Sequence, residues 1–213
     1  MSTEAKAAPR KRSKRLPLTY VIAIVPVAAA LNIVGGYING ILKLPIFLDM
    51  IGTMVTAVVL GPWWGALVGA ITNIVSSFIS GPIGLPFAVV NVAGALVWGY
   101  AHSAGWMSKT WSFFLVNILV AVVCSTFAVP IYVFIFGGAT GHFSDVMTAA
   151  FLAMGQNLIV SVFSSNILVS LADKIISGYV GLASIEALPA NLTEDTNLPK
   201  AEGLNKIIIP VVG

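Results

Sequence analysis

The chain has 213 residues, of which 58% are hydrophobic and 9% are charged, and its mean hydropathy is +0.96. This composition cannot supply the charged surface of a water-soluble domain, so it favours lipid as the solvent for most of the protein. Between positions 16 and 180 the formally charged side chains are Lys43, Asp49, Lys109, Asp145, Asp173 and Lys174. In lipid a polar group needs a partner inside the protein, so these few charges are informative.

The formal net charge of +3 comes from the first fifteen residues, where basic side chains precede the first apolar run: Lys6, Arg10, Lys11, Arg12, Lys14 and Arg15. Basic runs can bind nucleic acid, but a run beside a membrane span is typical of a cytoplasmic anchor. We therefore predict no nucleic-acid partner and a basic, disordered cytoplasmic tail over residues 1–15. The start also fits the outline of a signal peptide, but the apolar run continues to Val34, which favours an uncleaved first helix.

Long apolar runs then predict an all-α membrane protein with six transmembrane helices, because about 20 apolar residues cross a bilayer as a helix. The predicted spans are Leu16–Val34, Ile46–Leu60, Pro62–Ile79, Leu85–Ala101, Trp111–Phe136 and Asp145–Ala172. Asp173 and Lys174 are expected where the last span leaves the lipid. An even number of spans places both termini on one side, and the basic start makes that side cytoplasmic. Residues 16–180 thus form one six-helix membrane domain, followed by a cytoplasmic C-terminal tail over 181–213.

Several polar side chains fall at a common depth in these spans. Asp49, Asn73 and Asn91 lie in the outer halves of the second, third and fourth spans. At a rise of about 1.5 Å per residue, Gln156 and Asn157 lie about 15–18 Å below the outer start of the sixth span. Polar groups buried in membrane helices tend to face the bundle interior and mark ligand routes. The pattern therefore predicts a cavity that opens outward.

Each of these residues also has a purely structural interpretation. Asn73 belongs to a stripe at i+4 spacing that suits close helix packing, Gly61–Gly65–Gly69–Asn73–Ser77. Asp49 can be solvated or cap a helix, and Asn91 can equally join two helices. Gln156 and Asn157 are adjacent and point to different faces of a helix, so at least one of them is expected to face the interior.

The sequence lacks the common catalytic motifs. It contains no G-x-x-x-x-G-K-[ST], H-E-x-x-H or G-x-S-x-G, which excludes P-loop nucleotide hydrolysis and the usual hydrolase machinery. The one cysteine, Cys124, forms neither an internal disulfide nor a metal site, and His102 and His142 fall at opposite membrane faces. We predict no enzyme activity, no metal and no cofactor. A chain that binds a solute but has no energy source suggests a partner that has one.

Two segments resemble those of a known transporter family. Leu44–Thr53 (LPIFLDMIGT) and Leu60–Gly69 (LGPWWGALVG), together with the size and the predicted spans, resemble the substrate-binding S components of energy-coupling factor (ECF) transporters. The resemblance implies an extracellular site for a vitamin or related micronutrient, with the loop Tyr37–Pro45 as a lid. It also implies a complex with a transmembrane coupling subunit and two ATPase subunits, whose use of ATP topples the S component so that its site faces the cytoplasm.

The family docks on its coupling subunit through an Ala-x-x-x-Ala surface on the first helix. This chain departs from that pattern, because its i+4 series reads Ala28–Asn32–Gly36. The resemblance therefore predicts partner docking through a small-residue face made of Ala28, Asn32 and Gly36.

We expect a multi-pass protein of the bacterial cell membrane that is the high-affinity substrate-binding subunit of an ECF-type ABC importer. Its site would combine lid residues, hydrogen-bonding side chains and an aromatic ring for stacking: Asn39, Lys43, Asp49, Asn73, Asn91, Gln156, Asn157 and Tyr132. One alternative is a sensory membrane module that binds a small ligand and signals to a partner kinase. Another is a secondary transporter that works without ATPase subunits.

Overall fold

The computed structural model describes residues 17–194 and 196–199, and every regular element in these ranges is helical. The elements are α1 Leu18–Leu42, α2 Ile51–Val59, α3 Pro62–Ser80, α4 Ala88–Ser103, α5 Thr110–Phe134, α6 Ser144–Ala153, α7 Leu158–Glu186 and α8 Ala190–Thr193. A 3-10 turn over Pro82–Phe87 leads into α4. The prediction of an all-α fold is confirmed for this part of the chain. The predicted basic tail over residues 1–15 lies outside the described residues.

Within residues 17–194 and 196–199, five helical segments are long and apolar enough to cross a membrane: Leu18–Leu42, Pro62–Ser80, Pro82–Ser103, Thr110–Ile135 and Leu158–Glu186. Large apolar side chains cover their outer surfaces; Ile22 is 65% exposed, Phe78 87% and Phe134 80%. Water disfavours so much exposed apolar surface, whereas the hydrocarbon of a bilayer accepts it. The chain is therefore a helical, multi-pass membrane protein. The count of six spans and the cytoplasmic side of the termini stay predictions.

α2 lies at the centre of the bundle, where it contacts α1, α3, α4 and α7. All its residues from Ile51 to Val58 are buried. Two glycines make this possible, because a Cβ on Gly52 would lie 2.1 Å from the Ala28 carbonyl oxygen, and a Cβ on Gly65 would lie 2.5 Å from Cβ of Ala57. Small residues thus let α1 and α3 approach α2 at backbone distance, which is typical of helix packing in membranes.

Two predicted spans are wrong in their helical extent. The second predicted span, Ile46–Leu60, contains a helix of only nine residues, because residues 43–50 are non-helical and Leu48 has a left-handed φ of 58°. The sixth, Asp145–Ala172, is divided into α6 and α7 at Gly155, whose φ of 87° does not fit inside a helix.

The beginning of α1 and the end of α7 lie at the same end of the bundle. Asn191 of α8 donates a hydrogen bond from Nδ2 to the Tyr20 hydroxyl at 2.8 Å, and Leu192 is buried. The predicted domain boundary at residue 180 falls inside α7, which continues to Glu186. The described part of the predicted C-terminal tail therefore packs against the bundle.

Candidate functional site

A cavity of about 460 Å³ lies between the second half of α1 and the second half of α3. A volume of this size suits a small organic molecule. Its wall combines apolar residues with several polar side chains: Asn32, Asn39, Asp49, Thr72, Asn73, Ser76 and Ser80. Three residues predicted from the sequence as substrate-binding, Asn39, Asp49 and Asn73, are thus brought together at one cavity.

Two of these residues come from the long helices that flank the cavity. The predicted lid Tyr37–Pro45 is helical as far as Leu42, so Asn39 belongs to the last turns of α1. Asn73 lies in α3, where its Nδ2 donates to the Gly69 carbonyl oxygen of the same helix at 3.1 Å. Asn73 therefore contributes to the wall of the cavity while it satisfies its own helix backbone.

The segment that connects α1 to α2, residues 43–50, enters the bundle without helical hydrogen bonds and supplies Phe47 and Asp49 to the cavity wall. It passes so close to α1 that a Cβ on Gly35 would lie 2.1 Å from the Leu48 carbonyl oxygen. The backbone N–H groups of Phe47 and Leu48 both donate to Asp173 Oδ1, at 3.0 and 2.7 Å. A carboxylate of α7 thus replaces the hydrogen bonds that a continuous helix would have provided in the membrane.

Asp173 and Lys174 lie in the interior of the bundle, and their predicted position at the end of a span is wrong. Asp173 is 0% exposed and Lys174 is 2% exposed, because α7 continues to Glu186. Lys174 Nζ donates to Asp173 Oδ2 in an ion pair and lies 5.6 Å from the centre of the Phe47 ring. Buried charges are tolerated when they are paired and hydrogen-bonded, and Asp173 meets both conditions.

Asp49 is the second carboxylate of this region. Asn91 of α4 donates from Nδ2 to Asp49 Oδ2 at 3.1 Å, so Asn91 reaches the cavity through Asp49. Asp49 also interacts electrostatically with Lys174 and Asp173. We call these two carboxylates and one ammonium group the charged cluster: Asp49, Asp173 and Lys174.

His142 connects the loop before α6 to the cavity wall. Its ring stacks on Phe47 with 4.6 Å between centroids, and Nε2 lies 3.2 Å from both the Ile46 carbonyl oxygen and the amide of Asn39. The backbone N–H of Ser144 donates to Nδ1 at 3.1 Å, which requires a neutral ring. Burial lowers the pKa of His142 below its ordinary value, in agreement with a neutral ring.

Asn32 joins three helices beside the cavity. Its Nδ2 donates to the hydroxyl oxygens of Thr53 in α2 and Thr72 in α3, at 2.8 and 3.0 Å. Its Oδ1 accepts a hydrogen bond from the backbone N–H of Gly52 at 2.7 Å. The amide is therefore saturated by the protein, and its first role is to hold α1, α2 and α3 together.

The residues of the predicted docking face on α1 lie mostly inside the bundle. Ala28 is 5% exposed and Asn32 is 0% exposed, because this side of α1 packs against α2 and α3. Gly36 lines the cavity, where a Cβ would lie 3.7 Å from Cβ of Asp49. Ala28 and Asn32 are therefore not exposed on the bundle surface, and docking through these three residues stays a prediction.

Lys43 and Tyr132 lie away from the cavity wall. Lys43 is exposed just after α1, where its left-handed φ of 52° ends the helix. Tyr132 is buried in the core, with its ring edge-on to Phe87 at 4.9 Å between centroids. Tyr132 thus contacts another aromatic ring of the chain, and stacking of a substrate on it stays a prediction.

Gln156 and Asn157 lie in the turn between α6 and α7, so their predicted position inside a helix is wrong. Asn157 is exposed, and its Oδ1 accepts a hydrogen bond from the backbone N–H of Val160 at 2.9 Å as the N-cap of α7. The left-handed conformation of Gly155 breaks the predicted helix, so both amides lie in a turn and not on a helix face.

Four residues of this region were not predicted as parts of the site: Phe47, His142, Asp173 and Lys174. For Asp173 and Lys174 a signal exists in the sequence, because apolar residues resume at Ile175 and Ile176. A charge flanked by apolar helix on both sides indicates burial in a membrane protein. The roles of Phe47 and His142 arise only from tertiary contacts.

Comparisons with protein-family models, with curated proteins and with solved structures found no match to this chain. The cavity wall and the charged cluster are thus the features from which a function can be inferred.

Proposed function

We propose that this chain is the substrate-binding S component of an ECF-type importer in a bacterial cell membrane. It binds a vitamin or related micronutrient from the extracellular side. It then delivers the solute after docking on a transmembrane coupling subunit that carries two ATPase subunits. The single observation that supports this proposal is the cavity between α1 and α3, which has the size of a small-molecule site and gathers polar side chains from separate elements of a membrane bundle.

The construction of the cavity wall agrees with this role. Asp173 holds the backbone of Phe47 and Leu48, Asn91 holds Asp49, and His142 packs against Phe47. Side chains that are fixed before a ligand arrives lose little conformational freedom on binding, which favours high affinity. A solute bound at this end of the bundle, where α1 and α3 end, would lie on the extracellular side if the start of α1 is cytoplasmic.

The experiment is purification of the tagged full-length chain from the membranes of its native host, followed by mass spectrometry of the proteins and small molecules that remain bound. We expect a coupling subunit, two ATPase subunits and a small molecule of vitamin size. A kinase as the only partner would favour the sensory module instead. Solute uptake by the chain alone in liposomes, without ATP, would favour the secondary transporter.

A pair of variants links the bound molecule to the cavity. Ser76→Phe places a ring in the cavity wall, and we expect it to abolish retention of the small molecule. Thr126→Phe places the same ring on the exposed surface of α5, away from the cavity, and should retain it. Equal retention by both variants would show that the molecule binds elsewhere.

A further inference from the structure

We propose that the solute carries a positive charge, and that this charge binds to the carboxylate of Asp49. The inference rests on the proposed function, because it assigns the chemical class of the solute that the cavity takes. It follows from which of the charged groups of Asp49, Asp173 and Lys174 are paired within the protein.

Asp173 and Lys174 form a buried ion pair that does not belong to the cavity wall. Asp173 accepts from the ammonium of Lys174 and from two backbone N–H groups, those of Phe47 and Leu48. Lys174 is 2% exposed and does not belong to the cavity wall. The pair is neutral as a unit, so the charged cluster carries one net negative charge, and Asp49 is its member on the cavity wall.

Asp49 has an incomplete set of partners within the described residues. Its one hydrogen-bond donor from another residue there is the uncharged amide of Asn91, and no ammonium or guanidinium group lies within ion-pair distance of it. Asp49 is half-buried and belongs to the cavity wall. A carboxylate inside a membrane bundle is costly without a cation, and a bound cationic group removes that cost.

A second observation in the same wall also indicates a ligand. Asn39 is 6% exposed, and the Oδ1 atom of its amide has no hydrogen-bond partner among the described residues. Most buried side-chain polar atoms have a hydrogen-bond partner, so the open Oδ1 is available to a donor group of the solute. Asn39 and Asp49 thus offer one hydrogen-bonding group and one charge within a cavity of about 460 Å³.

The rest of the wall restricts the solute further. No lysine or arginine is among the residues that line the cavity in the described part of the chain. A phosphate or carboxylate group would therefore enter without a counter-charge and next to Asp49, which disfavours it. The chemical class is an organic cation with an apolar body, such as a protonated amine or an aromatic nitrogen cation.

The test uses the full-length chain purified from native membranes, the small molecule released from it, and two isosteric variants. We expect the released compound to be cationic at pH 7, and we expect Asp49→Asn to reduce its retained amount at least tenfold. Asp145→Asn removes a carboxylate that binds the backbone of Thr140 and Gly141 outside the cavity, and should retain the compound.

The outcomes separate this inference from the proposed function. A neutral or anionic compound, or a cation retained equally by Asp49→Asn, overturns the inference and leaves solute binding intact. Wild-type protein without any bound compound contradicts the proposed function, and this inference with it. If Asp49→Asn does not fold, Asp49→Glu keeps the charge in a longer side chain, and the charge of the wild-type compound decides the question.

Discussion

The ion pair of Asp173 and Lys174 allows a sharp test of how the bundle tolerates charge. Asp173→Asn keeps the shape of the side chain and one acceptor oxygen for the backbone of Phe47 and Leu48. It removes the negative charge, so the ammonium of Lys174 stays buried without its partner. Leaving one member of a buried pair uncompensated costs about 3–5 kcal/mol. At about 2–4 °C per kcal/mol for a chain of this size, the unfolding temperature should fall by roughly 6–20 °C.

The chain contains its own reporter for this measurement. Cys124 is its one cysteine and is 1% exposed, so a thiol-reactive fluorophore should label it only when the bundle opens. A temperature ramp in detergent with such a dye then gives the unfolding midpoint of each variant. The matched control is the double variant Asp173→Asn with Lys174→Met, which has no charge at either position.

The double variant separates an effect of charge from an effect of side-chain packing. If the unpaired ammonium causes the loss, Lys174→Met in the Asp173→Asn background should restore about 2 kcal/mol or more, roughly 4–8 °C. A double variant that is less stable than Asp173→Asn alone would refute the account, because the damage would then come from the packing of these side chains and not from charge.

Three further predictions use the same reporter. Gly52→Ala should destabilise the protein by about 3 kcal/mol, since the new Cβ would lie 2.1 Å from a backbone oxygen. The control Gly40→Ala adds its Cβ in open space and should be neutral or stabilising by about 0.5–1 kcal/mol. Equal unfolding midpoints for the two variants would contradict the packing of α2. Burial lowers the pKa of His142 below the ordinary value of 6.5, although nearby carboxylates oppose the shift. The imidazole of His142 therefore takes up a proton more readily in the unfolded chain, so the free energy of unfolding should fall below pH 6.5. The fall should be less steep in His142→Gln. An equal change in midpoint between pH 7.5 and pH 5.5 for wild type and variant would contradict this. Asn157→Ala should destabilise the protein by about 1 kcal/mol, because the N-cap hydrogen bond of α7 is lost. The variant should still retain the bound compound. Loss of the compound would show that Asn157 belongs to the binding site.

Local chemistry in the sequence predicts the long helices well. The pair Gly61-Pro62 marks the start of α3 at the correct residue, because proline at the first helical position lacks a donor that would be unpaired in any case. The predicted span Trp111–Phe136 and the observed α5, Thr110–Phe134, agree closely because apolar length alone defines them. Of the eight residues expected to bind substrate, Asn39, Asp49 and Asn73 line the cavity, and Asn91 reaches it through Asp49.

Long-range pairing explains what the sequence cannot predict. Ile46, Phe47 and Leu48 are as apolar as any helical run, and nothing near them indicates that the Leu48 N–H binds a carboxylate 125 positions away. The turn before α7 is equally unpredictable from hydropathy, because apolar residues lie on both sides of Gly155 and its left-handed conformation alone ends the helix. Hydropathy measures the cost of exposing side chains to water, and it contains no information about which backbone groups find side-chain partners.

The two hydrogen bonds that Asp173 accepts from the backbone of residues 47 and 48 have a consequence for biosynthesis. Ribosomes make the chain from its N-terminus, so the residues that line the cavity enter the membrane well before the carboxylate that secures them. Until α7 is inserted, the backbone N–H groups of Phe47 and Leu48 lack this partner within the nascent bundle. Completion of the pocket is therefore coupled to the insertion of α7, and a translation product that stops before α7 would expose unpaired backbone N–H groups to the proteases that degrade incomplete membrane proteins.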